Sequence, residues 1–104
     1  MEVRLVPGEA AQLIEPTDLR RFSVTVAGTP EALPVLAEGL RGIVDFEGSE
    51  HAWVSVAWLL EASNRADWAD WRYEFANMMK YAESKGWTRS DPDAIRGHVV
   101  WVPA

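Results

Sequence analysis

Cysteine is absent from this 104-residue chain. That excludes disulfides, thiol nucleophiles and thiolate metal ligands, and it fits a reducing compartment, so a cytoplasmic location is expected. Positive charge is scarce, with ten Lys and Arg against sixteen Asp and Glu and a net charge of −6. Such a surface repels phosphate backbones, and only Arg20 and Arg21 are adjacent basic residues; no nucleic-acid partner is expected. No apolar run approaches the ~20 residues of a membrane-spanning helix. The opening "MEVRLVPGEAAQL" lacks a basic stretch followed by an apolar run, so neither a signal peptide nor a membrane anchor is expected. Histidine occurs only twice. Two imidazoles without tight spacing do not make a metal-ligand pattern, and no metal or cofactor is expected.

What the chain does have is apolar and aromatic: 48% hydrophobic residues and six tryptophans. This is the composition of one globular domain. Residues 2–6, "EVRLV", alternate as a short strand stopped by Pro7-Gly8. Residues 9–19 are ambiguous, since "EAAQLIE" also suits a short helix ended by Pro16. "RRFSVTVAG" is a strand with Phe22, Val24 and Val26 on one face. "GTPEALPVLAEGLRG" is a helix with Thr29 at its cap, Pro30 at its first position and Leu33, Leu36, Ala37 and Leu40 as its apolar stripe. Gly42 stops it.

"IVDFEGSEHAWVSVAWLL" reads as a hairpin turning at Glu47-Gly48-Ser49-Glu50. Trp53, Val56, Ala57 and Leu60 also fit helical spacing, but the β-branched Val54 and Val56 favour a strand through residues 51–60. The spacing of Trp68, Trp71, Phe75, Met78, Met79 and Ala82 predicts a long helix from a cap at Asn64 to Gly86. Trp87 then closes the helix end. "SDPDAIRG" is a turn, and "HVVWV" a last strand.

From residue 21 the order is strand, helix, strand, strand, helix, strand. This element order resembles the ferredoxin-like βαββαβ sandwich: an α+β fold with a four-stranded antiparallel sheet, two helices on one face, and spatial order fourth, first, third, second. Residues 21–104 would form that domain, with residues 1–20 an N-terminal extension and candidate edge strand. The resemblance is to the shape of ACT-type ligand-binding domains, dimeric α+β-barrel enzymes, acylphosphatases and RNA-recognition modules. Their motifs are not here. The loop "AGTPE" lacks the acylphosphatase arginine, and "HAWVSVAWLL" lacks the basic-Gly-aromatic pattern of an RNA-recognition strand.

On that sheet Trp53 has the parity opposite to Val54, so it lies on the face the helices leave open, with Asp45, His51, Ser55 and Leu59. Trp101 joins them under one of the two parities open to the last strand. His51 and His98 lie at one end of the sheet, two strand spacings or about 9.6 Å apart. An indole among apolar neighbours marks a surface that meets something. The expected role is therefore a non-catalytic module, binding a small apolar or aromatic ligand or assembling as a homodimer through Asp45, His51, Trp53, Ser55, Leu59 and Trp101. The alternative is a small enzyme of the dimeric α+β-barrel type, with His51 as acid/base on an apolar or aromatic substrate.

Overall fold

The computed structural model describes residues 1–103. Seven strands form one mixed sheet: β1 (Glu2–Leu5), β2 (Gln12–Ile14), β3 (Ser23–Ala27), β4 (Val44–Glu47), β5 (His51–Ser55), β6 (Thr88–Arg89) and β7 (Ala94–Val102). Three α-helices accompany it: α1 (Leu33–Gly39), preceded by a 3-10 turn over Pro30–Ala32, α2 (Val56–Ser63) and α3 (Ala69–Ser84). The fold is thus α+β. No described helix is long and apolar enough to cross a membrane.

The strand order is β2-β1-β3-β7-β5-β4, with β6 also on β7. The expected ferredoxin-like order put the last strand at an edge. Instead β7 lies inside, parallel to β3 and antiparallel to β5. The physical reason is length and composition. β7 runs nine residues and supplies Ile95, Gly97 and Val99, all buried, to the middle of the core. Residues 94–97, expected in a turn, are its first half. Residues 1–20 also belong to the sheet. Val3 and Leu5 are almost fully buried and β1 pairs in parallel with β3, so the outer edge is β2 and not β1. Residues 12–14, which also suited a helix, are that edge strand. The Met1 ammonium donates to the carbonyls of Asp18 and Arg21, tying the start of β1 to the approach to β3.

The second half of "HAWVSVAWLL" is helical. β5 ends at Ser55, whose Oγ accepts a hydrogen bond from Trp58 N at 3.1 Å and caps α2. A serine cap accepting from the third helical N–H satisfies one of the donors left free at a helix start, and here it outweighs the strand propensity of Val56. Asn64, in the left-handed conformation at φ 55°, ends α2 rather than starting the next helix. α3 accordingly begins at Ala69, and at ~1.5 Å per residue it is about 24 Å long. Trp71 and Phe75 stack within the core at a centroid spacing of 5.0 Å. Trp71 also donates from Nε1 to the carbonyl of Pro16. Trp68, expected on the same stripe, precedes the helix; it is 58% exposed, with the Arg65 guanidinium 5.1 Å from its ring.

The core is one cluster. Val3, Val24 and Val99 align across three adjacent strands, as do Leu5, Val26 and Trp101. Leu36 from α1 and Leu40 just after it, Leu59 from α2, and Trp71, Phe75 and Ala82 from α3 belong to the same cluster. Gly97 marks a tight approach beside it. A Cβ there would lie 2.8 Å from Phe22 Cε2 and 3.3 Å from Val24 Cγ2. Gly97→Ala should therefore cost about 1–3 kcal/mol as overpacking, read as a lower urea midpoint; Phe22→Leu in the same background should recover part of the loss. Ser55→Ala should cost about 1 kcal/mol through the lost cap, measured the same way.

Candidate functional site

A strand has two hydrogen-bonding edges. One edge of β7 is taken by β5 along Ala94–His98. The other is shared: β6 pairs with Ala94 and Ile95, and β3 pairs with His98–Val102. Between these two partners, at Arg96 and Gly97, the sheet is split. The last contact on the β6 side is Arg96 N donating to the carbonyl of Trp87 at 2.7 Å.

A cleft of about 830 Å³ opens at this split. Ile95, Gly97 and His98 of β7 and His51 of β5 line it from the sheet. Phe22 and residues Thr17–Arg20 approach from the β3 side, and Trp87 from the β6 side. α3 supplies Glu74, Asn77, Met78, Tyr81 and Ala82. Gly86, at φ 77°, makes the left-handed turn that brings Trp87 back beside the helix, where its ring meets Tyr81 edge to face at 6.1 Å. Trp87 N also bonds the carbonyl of Ala82, so the expected closure of the helix end forms and becomes a wall of the cleft.

His51 and His98 are direct cross-strand partners. Their rings meet edge to face with centroids 5.7 Å apart. The expected separation by an intervening strand does not occur, because β7 pairs with β5 itself. No group of three or more His, Asp or Glu among the described residues is placed to hold a metal ion.

The other expected residues are dispersed. Trp53 does lie on the face opposite Val54, and it is half-buried. Its indole Nε1 donates to Glu47 Oε2 at 3.1 Å, and the Arg89 guanidinium sits 4.8 Å from its ring. Arg89 also pairs with Asp45 at 2.9 Å, and Arg96 with Glu47 at 2.7 Å. A single interlocked layer of two carboxylates, two guanidiniums and one indole thus covers this part of the sheet. Asp45, Trp53 and Ser55 border a second, smaller cleft of about 470 Å³ with Pro34, Arg41 and Arg89. Leu59 is a correction: it is fully buried in α2 and shares no surface with Trp53, because residues 56–60 are helical. Trp101 takes the core parity with Val99, packs partly against the core, and donates from Nε1 to the carbonyl of Ser49 at 2.7 Å.

Of the six residues expected to form the binding surface, only His51 enters the larger cleft; His98, weighed from sequence as its neighbour at one end of the sheet, enters with it. Phe22, Tyr81, Trp87 and Arg96 were not singled out as site residues. Tyr81 and Trp87 carried one available signal, an exposed aromatic at each side of the Gly86 turn. Phe22 carried none, since its strand parity reads as plain core.

Glu47 lies beside the split through its ion pair with Arg96. Hydrogen bonds from Trp53 and Arg96 hold its carboxyl below the ordinary value of 4.5; desolvation opposes them, and the nearby Arg96 charge and His51 add to the lowering. Arg96 Nε is buried without a hydrogen-bond partner, while its Nη2 is engaged by Glu47. Comparison with family models, curated proteins and solved structures finds no match to this chain.

The lowered Glu47 pKa fixes the sign of one pH effect. A carboxylate whose folded pKa is depressed adds stability above its unfolded value, and that stability is lost as pH falls through the folded value. The advantage of wild type over Glu47→Gln in urea unfolding should therefore be present near neutral pH and shrink once the pH drops below the ordinary glutamate value of 4.5. An advantage that stays constant into the acid range would remove Glu47 from this role.

Proposed function

We propose that this protein is a non-catalytic binding module that takes a small aromatic or apolar ligand in the cleft at the β7 split. The observation that carries this reading is the make-up of the cleft. Phe22, Met78, Tyr81 and Trp87 offer apolar and aromatic area, and His51, His98, Asn77 and Arg20 offer a few polar groups. A volume of about 830 Å³ lies in the range of small-molecule sites, which are mostly apolar with a small number of orienting polar groups. The site is built on rigid elements, since β5, β7 and α3 all contribute buried residues to the core.

A homodimer through the Trp53 face has less support. Trp53 is already engaged by Glu47 and Arg89, and the surrounding layer is charged. An anchor residue gains most from a partner when it is otherwise unsheltered. The enzyme reading draws on one observation, that His51 lines the cleft beside His98. It lacks a nucleophile placed against the imidazoles: the side-chain hydroxyls lining the cleft are those of Thr17 and Tyr81.

The test is a solution titration of the whole protein with small aromatic acids, amides and alcohols, followed by NMR of the two histidine rings and the tryptophan indoles. Trp87 is the single tryptophan that lines the cleft, so its indole and both imidazoles should shift together while the Trp53 indole stays put. Histidines and Trp87 unmoved by every compound would refute the reading. Movement confined to Trp53, together with dimer formation in sedimentation, would transfer the function to the Trp53 face.

A further inference from the structure

We infer that the ligand of the β7 cleft is an aromatic N–H donor, an indole-type ring, that hydrogen-bonds to the backbone carbonyl of Arg96. This rests on the proposal that the cleft is a ligand site, and it adds the group by which the site selects. In an antiparallel pair the N–H and C=O of one residue lie on the same edge of its strand, and the edge alternates along the chain. Val99 N donates to Glu50 on the β5 side, and Arg96 N donates to Trp87 on the other. Arg96 therefore turns its carbonyl, like its N–H, to the split edge. The register that pairs Thr88 with Ile95 sets Trp87 opposite Arg96, where two bonds would be exchanged. Only one forms, because Trp87 N donates instead to the Ala82 carbonyl at 2.9 Å and closes α3. β3 does not supply the missing donor either: it begins at Ser23, whose N–H goes to the Met1 carbonyl.

The Arg96 carbonyl is thus an acceptor with no protein donor among the described residues, on the stretch of β7 that lines the cleft. It lies in the plane of the sheet. Gly97 next to it faces the core side, where Phe22 packs, while His98 meets His51 on the opposite side, and all of these line the cleft. A ring seated in the split covers the carbonyl and shuts water away from it. A ligand without a donor then strands a polar group, which costs its full desolvation, whereas an N–H satisfies it. Net charge gives the cleft no comparable means of selection. Arg20 and Arg96 are offset by Asp18 and Glu74, and Arg96 is already paired to Glu47. The aromatic walls, Tyr81 and Trp87, accept any flat ring, so the discriminating contact is the one at the strand edge.

The experiment compares indole with benzofuran, which keeps the ring shape and replaces the N–H by an oxygen. Both are titrated into the full chain by calorimetry and by NMR of the Arg96 carbonyl carbon and the Gly97 nitrogen bonded to it. Indole should bind about tenfold more tightly, although benzofuran is the more apolar ring and gains more by leaving water. The Arg96 and Gly97 signals should move further downfield with indole than with benzofuran. Trp87→Leu should weaken both rings severalfold and keep their ratio, since it removes aromatic area and leaves the acceptor in place. The comparison on wild type needs no variant, so it decides the matter even where Trp87→Leu fails to fold. Equal binding of the two rings at the cleft, or a preference for indole with the Arg96 carbonyl unmoved, would overturn this inference while the ligand-site reading stands. Binding of neither ring would also overturn it, and with the histidines and Trp87 unmoved by every other aromatic compound the ligand-site reading would fall too.

Discussion

One edge of one strand organises this molecule. β7 presents nine residues of backbone, and its two partners on that edge, β6 and β3, take its beginning and its end and leave the middle unshared. Every backbone donor and acceptor in a sheet interior needs a partner or water. A gap in the ladder therefore makes a place where side chains of other elements, and a ligand, can approach the strand. Gly97 sits in that gap because Phe22 leans into the space a side chain would take. The core packing and the cleft are consequences of the same shared edge.

The two sides of the sheet are handled by different physics. On the core side, Val3, Val24 and Val99 line up across the parallel strands and are sealed by residues of all three helices. On the other side, near β4, β5 and β6, the covering is electrostatic. Asp45, Glu47, Arg89 and Arg96 lie around the Trp53 indole in paired geometry. Exposed ion pairs of this kind contribute little individually. Their evident effect is on the indole, whose N–H is satisfied and whose ring carries a guanidinium, so a residue that looks adhesive in sequence is partly sheltered by its neighbours.

Local features were largely legible. The β4–β5 hairpin with its turn after Glu47, the buried pair Leu36 and Leu40, and the α3 stripe of Trp71, Phe75 and Ala82 all follow from short-range pattern, whereas α1 ends at Gly39, before the expected stop at Gly42. The failures came where two local patterns competed. Residues 56–60 fit both a period of two and a period of 3.6, and the cap at Ser55 decided for the helix. Asn64 suits either end of a helix, as an N-cap by its side chain or as a terminator by its left-handed backbone, and it terminates α2. Each of these choices turns on a single hydrogen bond or dihedral that composition does not announce.

By itself, the amino-acid sequence determined the class of structure: an α+β chain whose alternation and helical stripes place most apolar residues in a core, and whose lack of cysteine removes thiol chemistry. Only the tertiary structure decided that β7 pairs with β3 on one side and β5 on the other, that His51 and His98 touch, and that Phe22 and Trp87 face one cleft. The reason is that strand periodicity specifies which face a side chain takes but carries no information about which strand lies beside which. Neighbour choice depends on long-range packing, here on Gly97 admitting the Phe22 ring, and the cleft exists only once that choice is made.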